Sequence, residues 1–269
     1  MIARLCMISA LLLSPLFGKS ISAGYDVTFS VFGKIGEALL SFDQDEGRYS
    51  IYINAGLTGS AASIGQNRRE IHESFGIIEN GVLLPELYKI TRSSSFFFNE
   101  SFFAFNHEDD TIERHRIRTK IESESHFDLQ QMGFVTNETN RTTYSSNPIP
   151  FYAKNDILSL FFNVKSLLKE IPQGKEKLIH AVGGSNKKGE IIVTNPAGEK
   201  RRELASLMPT HENRLITVIV DQDIFKSDRG ELYVSLDSDT LAKEAMLKDV
   251  LLFGDIHGYR VWQKEDEGE

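Results

Sequence analysis

The segment Asn155–Ile171 constrains the fold most, because it has the pattern of a strongly apolar helix in a chain otherwise patterned as β-strands. Its apolar residues recur at the three- and four-residue spacing of one helical face. Asn155 can accept hydrogen bonds from the first turn, while Pro150 and Pro172 limit the helix on both sides. In a chain of strands, such a helix can bury its apolar face only by packing on a sheet. The pattern therefore predicts a helix over 155–171.

The rest of the chain divides into short segments of alternating polarity separated by turn residues, which is typical of antiparallel strands. Asn80-Gly81 favours a tight hairpin. The segment 200–206 predicts a strand, Gly133–Pro150 is polar and irregular, and Thr240–Phe253 favours a strand, with a helix as the alternative. The predicted fold is mainly β: a curved antiparallel sheet, a half-barrel or open barrel, with one amphipathic helix packed on its concave face.

The start of the chain has the pattern of a secretory signal peptide. Arg4 precedes an apolar run, Leu5–Phe17, that is too short for a comfortable membrane span. We expect a signal peptide at 1–23, cleaved near Ser22 or Ala23; an uncleaved N-terminal anchor is the alternative. Residues 24–262 are then one β-rich domain, and residues 263–269 form an acidic, disordered tail.

Cysteine content and charge indicate the compartment and exclude some partners. Cys6 is the only cysteine and lies in the predicted signal peptide, so the mature chain uses no disulfide, which fits a bacterial periplasm. The net charge of −8 argues against nucleic acid and against electrostatic binding to an anionic membrane. We therefore expect a soluble, exported periplasmic protein with no transmembrane segment after signal cleavage.

Several short strings occur in an order that resembles an exported bacterial family known as domain of unknown function 3108. They are Phe32–Ala38, Asn67–Glu70, Glu79–Leu83 with Pro85, Asn155–Leu158 with Leu160-Phe161, Gly230–Val234, and Phe253–Ile256 with Gly258. The resemblance implies a periplasmic protein with a curved antiparallel sheet. That shape is similar to the half-barrels that carry lipoproteins and lipids between bacterial membranes. The family has no assigned catalytic residues.

A hydrophobic pocket between helix and sheet is the candidate binding site, because ligand cavities are mostly apolar. The helix face and the phenylalanine-rich stretch 96–105 supply its predicted lining: Leu160, Phe161, Val164, Leu168, Phe96, Phe98 and Phe103. The alternative is that these side chains are simply core. If they line a pocket, Val164→Trp should abolish lipid uptake without unfolding the protein.

No pattern of catalytic or metal-binding residues stands out. The chain has no G-x-S-x-G motif, and its histidines form no closely spaced ligand pair. The acidic stretch after His107 is typical of a charged hairpin turn, and Glu122 and Glu124 of an exposed strand. The sequence thus predicts no enzyme, no cofactor and no metal. Asn140, in an Asn-Arg-Thr sequon, is a candidate glycosylation site.

These patterns predict a periplasmic, non-enzymatic binding protein that holds or shuttles a lipid or another hydrophobic ligand. The alternative is an envelope scaffold that docks on an outer-membrane or flagellar-motor assembly. One observation separates them: an open apolar groove between helix and sheet favours the carrier, whereas a closed core with an apolar surface outside favours the scaffold.

Overall fold

The computed structural model describes residues 18–29, 32–130, 132–184, 188–208, 214–220, 230–238, 241–250 and 254–267. Within these ranges the strands form one open sheet of fifteen. The strands of its first half are β1 (Lys19–Phe29), β2 (Gly33–Asp45), β3 (Arg48–Leu57), β4 (Arg69–Glu79), β5 (Val82–Ser93), β6 (Phe97–Asn106), β7 (Thr111–Asp128) and β8 (Gly133–Pro148). Those of the second half are β9 (Asn155–Asp156), β10 (Lys175–Val182), β11 (Glu190–Asn195), β12 (Arg214–Val220), β13 (Gly230–Leu236), β14 (Ala242–Val250) and β15 (Gly254–Glu267).

The strand order follows the chain in each half, and the two halves meet where β1 pairs with β15. The neighbours are antiparallel except β9, which runs parallel to β10. Tight turns connect them; in the turn between β4 and β5, Asn80 and Gly81 both have positive φ, as predicted for Asn-Gly. The mainly β, open-sheet fold class is confirmed.

Most of the segment 155–171 is helical, but its first two residues form β9 and the prediction of one continuous helix was wrong. It comprises α2 (Ile157–Phe162) and α3 (Val164–Glu170), with Asn163 between them. The N-cap is Asp156 rather than Asn155, because the Asp156 carboxylate accepts from the amides of the first turn, whereas the Asn155 side-chain oxygen accepts from Asn163.

The two short helices lie inside the curve of the sheet and contact both of its halves. Leu158 packs in a core cluster with residues of β1 to β7, whereas Leu160 packs against β10 and β11. Val164 packs against β12 and β13. The helices therefore fill the concave side, as predicted, although as a pair.

A further helix, α4 (Gly198–Leu207), covers the opposite face of β12 to β14. The prediction of a strand at 200–206 was wrong. Leu204 and Met208 lie one helical turn apart and pack on Leu215, Tyr233 and Met246, so burial selects the helix. One more helix, α1 (Gly59–Ile64), connects β3 to β4.

Two polar segments are ordered by backbone pairing rather than by burial of their side chains. Residues 133–148, predicted to be irregular, form β8, which pairs with β7 along its length. Residues 263–267, predicted to be a disordered tail, belong to β15 and pair with β1. The strand predicted over 240–253 is confirmed for β14; residues 239–240 and 251–253 lie outside the described residues.

The predicted signal peptide overlaps the sheet at its end. Residues 1–17 lie outside the described part of the chain, but β1 begins at Lys19 and pairs on both sides. Ile21 and Ala23 are buried. Cleavage near Ser22 or Ala23 would therefore remove the first part of a central strand.

Candidate functional site

The helix residues of the predicted pocket are packed in two different clusters. Leu160 is buried with Ala181, Ile191 and Val193 of the neighbouring strands. Val164 is buried in another cluster, with Phe161 and Leu168 packed around it. The strand residues that Val164 meets there are Ile216, Val234 and Leu236.

The phenylalanines of the predicted pocket are divided between the two faces of the sheet. Phe103 is in the core cluster of the first half and stacks on Tyr88, with ring centroids 5.9 Å apart. Phe98 lies an odd number of residues from Phe103 in β6, so it points to the other face. Phe96 and Phe98 are exposed, and the seven residues do not surround one cavity.

Side chains fill the space between α2 and the sheet. Phe162 stacks on Phe42 of β2 at 4.7 Å between ring centroids. Leu158 is buried beside Ile51 and Leu83 in the same core cluster. Among the described residues, the covered face of the sheet is therefore a packed core.

This packing changes the expected outcome of Val164→Trp. Because Val164 contacts three buried side chains, the larger indole would overpack the cluster. We expect the free energy of unfolding to fall by about 1–3 kcal/mol, measured by urea denaturation. Ile64→Trp on exposed α1 is the control and should change the stability little. Unchanged stability of the Val164 variant would show that the cluster has room for a ligand.

A buried carboxylate, Asp156, joins α2 to the sheet. Its Oδ1 accepts from the amides of Leu158 and Ser159 at 2.7 and 2.9 Å, and its Oδ2 accepts from the Ser74 hydroxyl of β4 at 2.6 Å. The Tyr49 hydroxyl of β3 lies 3.1 Å from that of Ser74 and continues the network. Ser159 completes a capping box by accepting from the Asp156 amide.

Burial raises the pKa of Asp156 to about 6, although the hydrogen bonds from Ser74, Ser159 and Leu158 oppose the shift. An unfolded aspartate titrates near pH ~3.9. The stability that this group contributes is thus fully present below pH ~4 and is lost as the pH rises through about 6.

We expect Asp156 to make the protein less stable by about 2–3 kcal/mol at pH 7.5 than at pH 4, apart from the titration of other groups. Asp156→Asn should remove this part of the pH dependence, because an amide does not titrate. Urea unfolding of both proteins across this range measures the difference. Parallel stability curves for the two would contradict the assignment.

Asn163 separates α2 from α3, and its side chain bonds both the amide and the carbonyl of one residue of β5, as the backbone of a neighbouring strand would. Its Oδ1 accepts from the Leu83 amide at 2.8 Å, and its Nδ2 donates to the Leu83 carbonyl at 2.9 Å. Nδ2 also donates to the Asn155 side chain at 2.9 Å. Leu83 lies beyond the part of β5 that pairs with β6, so Asn163 satisfies groups that the sheet leaves open.

A second polar cluster lies on the inner face beside this core. The His72 ring is 2.6 Å from the Tyr88 hydroxyl, and Glu70 is paired with Arg92. Hydrogen bonding to His72 and the charge of Arg92 lower the pKa of Glu70 to about 2, against the effect of burial. Glu70 and Arg92 neutralise each other. Within the described part of the chain, no group of three His, Cys, Asp or Glu side chains could hold a metal ion.

The hairpin of β7 and β8 extends past the rest of the sheet. β6 pairs with residues 111–120 of β7, and beyond Ile121 the two long strands pair only with each other. We call residues 122–142 the ribbon. Its tip is apolar and exposed: Phe127 48%, Leu129 79%, Met132 76% and Phe134 78%. The signal for this tip in the sequence is four apolar residues around a polar turn, a pattern too short to predict a projecting hairpin.

The ribbon also carries the predicted glycosylation site, since Asn140 is exposed in β8. Across β6 to β8, on the outer face, Phe102, Ile117 and Tyr144 line an open groove of about 360 Å³.

In the described ranges, no helix is both long and apolar enough to cross a membrane. A comparison of the chain with protein-family models, with curated proteins and with solved structures finds no match.

Proposed function

We propose that this chain is a non-enzymatic interaction protein of the bacterial cell envelope, which docks on an envelope assembly through the ribbon tip. One observation carries the proposal: apolar side chains are exposed at the end of a projecting hairpin, while the interior between helix and sheet is packed. Clustered exposed apolar residues on a soluble protein mark contact sites. A carrier needs a cavity, whereas the described side chains between helix and sheet are packed in core clusters.

The charge of the ribbon defines the partner. Residues 122–142 contain four acidic side chains (Glu122, Glu124, Asp128 and Glu138) and one basic side chain, Arg141. An anionic lipid surface would repel this ribbon. The complementary occupant is a protein with an apolar pocket that accepts the tip and a basic rim that faces the carboxylates.

The tip can be tested without disturbing the fold, because its side chains are exposed. A photo-cross-linking amino acid at Met132 should capture one envelope protein in the host periplasm. The purified double variant Leu129→Ser/Phe134→Ser should then bind that protein at least tenfold more weakly, because it lacks two apolar side chains that become buried in the complex. Glu124→Lys should weaken binding further by reversing a charge at an exposed position of the ribbon.

Ile64→Ser is the matched control, since Ile64 is 81% exposed on α1, away from the ribbon. It should bind the partner as the wild type does. Equal cross-linking from positions 64 and 132, or equal binding by the tip variant, would reject docking through the tip. Native mass spectrometry after mild extraction tests the other function: a bound mass in the lipid range would establish the carrier.

A further inference from the structure

Three arginines form a row on the inner face of β7. Arg114, Arg116 and Arg118 alternate along the strand and so share one face. That face is the one that reaches the core, because Ile112 precedes them at the same period and is buried. Arg114 lies directly opposite Phe103, a core residue of β6. We call these three residues the arginine row.

The strands on both sides present no carboxylate to the arginine row. The residues opposite it on β6 and β8 are Phe103, Ser101, Asn99, Asn147, Ser145 and Thr143. Arg92, on the same face two strands away, is paired with Glu70. Arg48 is likewise paired with Glu86. In an acidic protein, a row of cations surrounded by neutral polar groups is therefore a distinct local feature.

The guanidinium groups of the row have unused donors. The Nε atoms of Arg114 and Arg116 are buried and have no hydrogen-bond partner among the described residues. None of the three arginines forms an ion pair with a described residue. Burial, and then the charges of Arg118, Arg114 and Arg92, lower the pKa of Arg116. Such uncompensated, partly buried charge costs free energy in the absence of an anion.

We propose that the arginine row binds a ligand that bears phosphate groups. A guanidinium presents a planar fork of donors that matches phosphate oxygens, and the flanking serine, threonine and asparagine side chains can add hydrogen bonds. Alternate residues of a strand lie about 7 Å apart, so the row suits a ligand with two neighbouring phosphates or one phosphate held by two arginines. Arg118 is exposed and forms the entrance, whereas Arg114 borders the core.

This site is independent of the ribbon tip, and the proposal does not rest on docking. The phosphate can belong to a soluble compound or to a lipid headgroup, and two probes distinguish them. Pyrophosphate, titrated by calorimetry at low ionic strength, represents the soluble source. Flotation with phosphatidylcholine vesicles, with and without phosphatidic acid, represents the headgroup. Binding of pyrophosphate, or of only the vesicles that contain phosphatidic acid, supports the proposal and names the source.

Arg116→Gln should weaken the binding at least tenfold, and Arg118→Gln should weaken it without risk to the fold, because that side chain is exposed. Arg202→Gln, at an exposed position of α4, is the control and should bind as the wild type does. Circular dichroism checks that each variant is folded. The proposal would be overturned if the wild type bound neither probe. It would also be overturned if Arg118→Gln and a folded triple arginine-to-glutamine variant both bound as tightly as the wild type.

Discussion

Replacing Asp156 with alanine is expected to lower the free energy of unfolding by about 3 kcal/mol at pH 5. The substitution removes the cap of α2, which is worth ~1 kcal/mol, and leaves buried donors of Ser74, Leu158 and Ser159 without an acceptor, at ~1–3 kcal/mol in total. Urea denaturation followed by circular dichroism measures the change. The loss should be smaller at pH 8, where the ionised carboxylate of the wild type is itself costly.

Asp156→Asn is the matched control. The amide oxygen can still accept from the two backbone amides, and asparagine is a good N-cap, so most of the stability should remain at pH 5. If the alanine and asparagine variants were equally unstable, the hydrogen bond from Ser74 to Oδ2, which both variants lose, would hold α2 to the sheet rather than the capping of the helix amides. If both matched the wild type, the network would contribute nothing.

Replacing Asn163 with alanine is expected to cost about 2–3 kcal/mol. The Leu83 amide and carbonyl are buried, and the substitution removes the side-chain atoms that bond both of them. A buried polar group that is left without a partner costs more free energy than the hydrogen bond itself contributes. Alanine favours a helix more than asparagine does, so a gain in helix propensity of under ~1 kcal/mol offsets part of this loss.

The comparison for Asn163 is Asn137→Ala, at an exposed position of β8, which should change stability by less than ~0.5 kcal/mol. Amide hydrogen exchange adds a local measure. In Asn163→Ala, the Leu83 amide should exchange faster relative to the other core amides. Unaltered protection of Leu83 would mean that another group replaces the asparagine side chain.

For the helical segment, the sequence pattern predicted some features of the structure and not others. Its spacing correctly predicted helical structure, burial on a sheet and limits near Pro150 and Pro172. It did not predict the break, because Asn163 interrupts the helix by binding Leu83, which is eighty residues away in the chain. It also placed the cap one residue too early, since the hydrogen bond that the Asn155 side chain accepts from Asn163 is not visible in the local pattern.

The same limit applies to the side chains along the strands. The alternation of Arg114, Arg116 and Arg118 is visible in the sequence, but the face that they occupy and their lack of acidic neighbours depend on the register of three strands. Phe98 and Phe103 looked equivalent within a run of phenylalanines, yet strand alternation assigns them to opposite faces. Local composition predicts which elements form, whereas long-range pairing decides what they surround.

The pairing of β1 with β15 has a consequence for folding. Lys19 lies beside Glu267, so the joint between the two halves of the sheet is made by strands from opposite ends of the described chain. During synthesis, β1 emerges first and can pair with β2, but its other edge stays open until β15 arrives. An open central edge is a template for pairing with other chains. We therefore expect aggregation during refolding to begin at this edge.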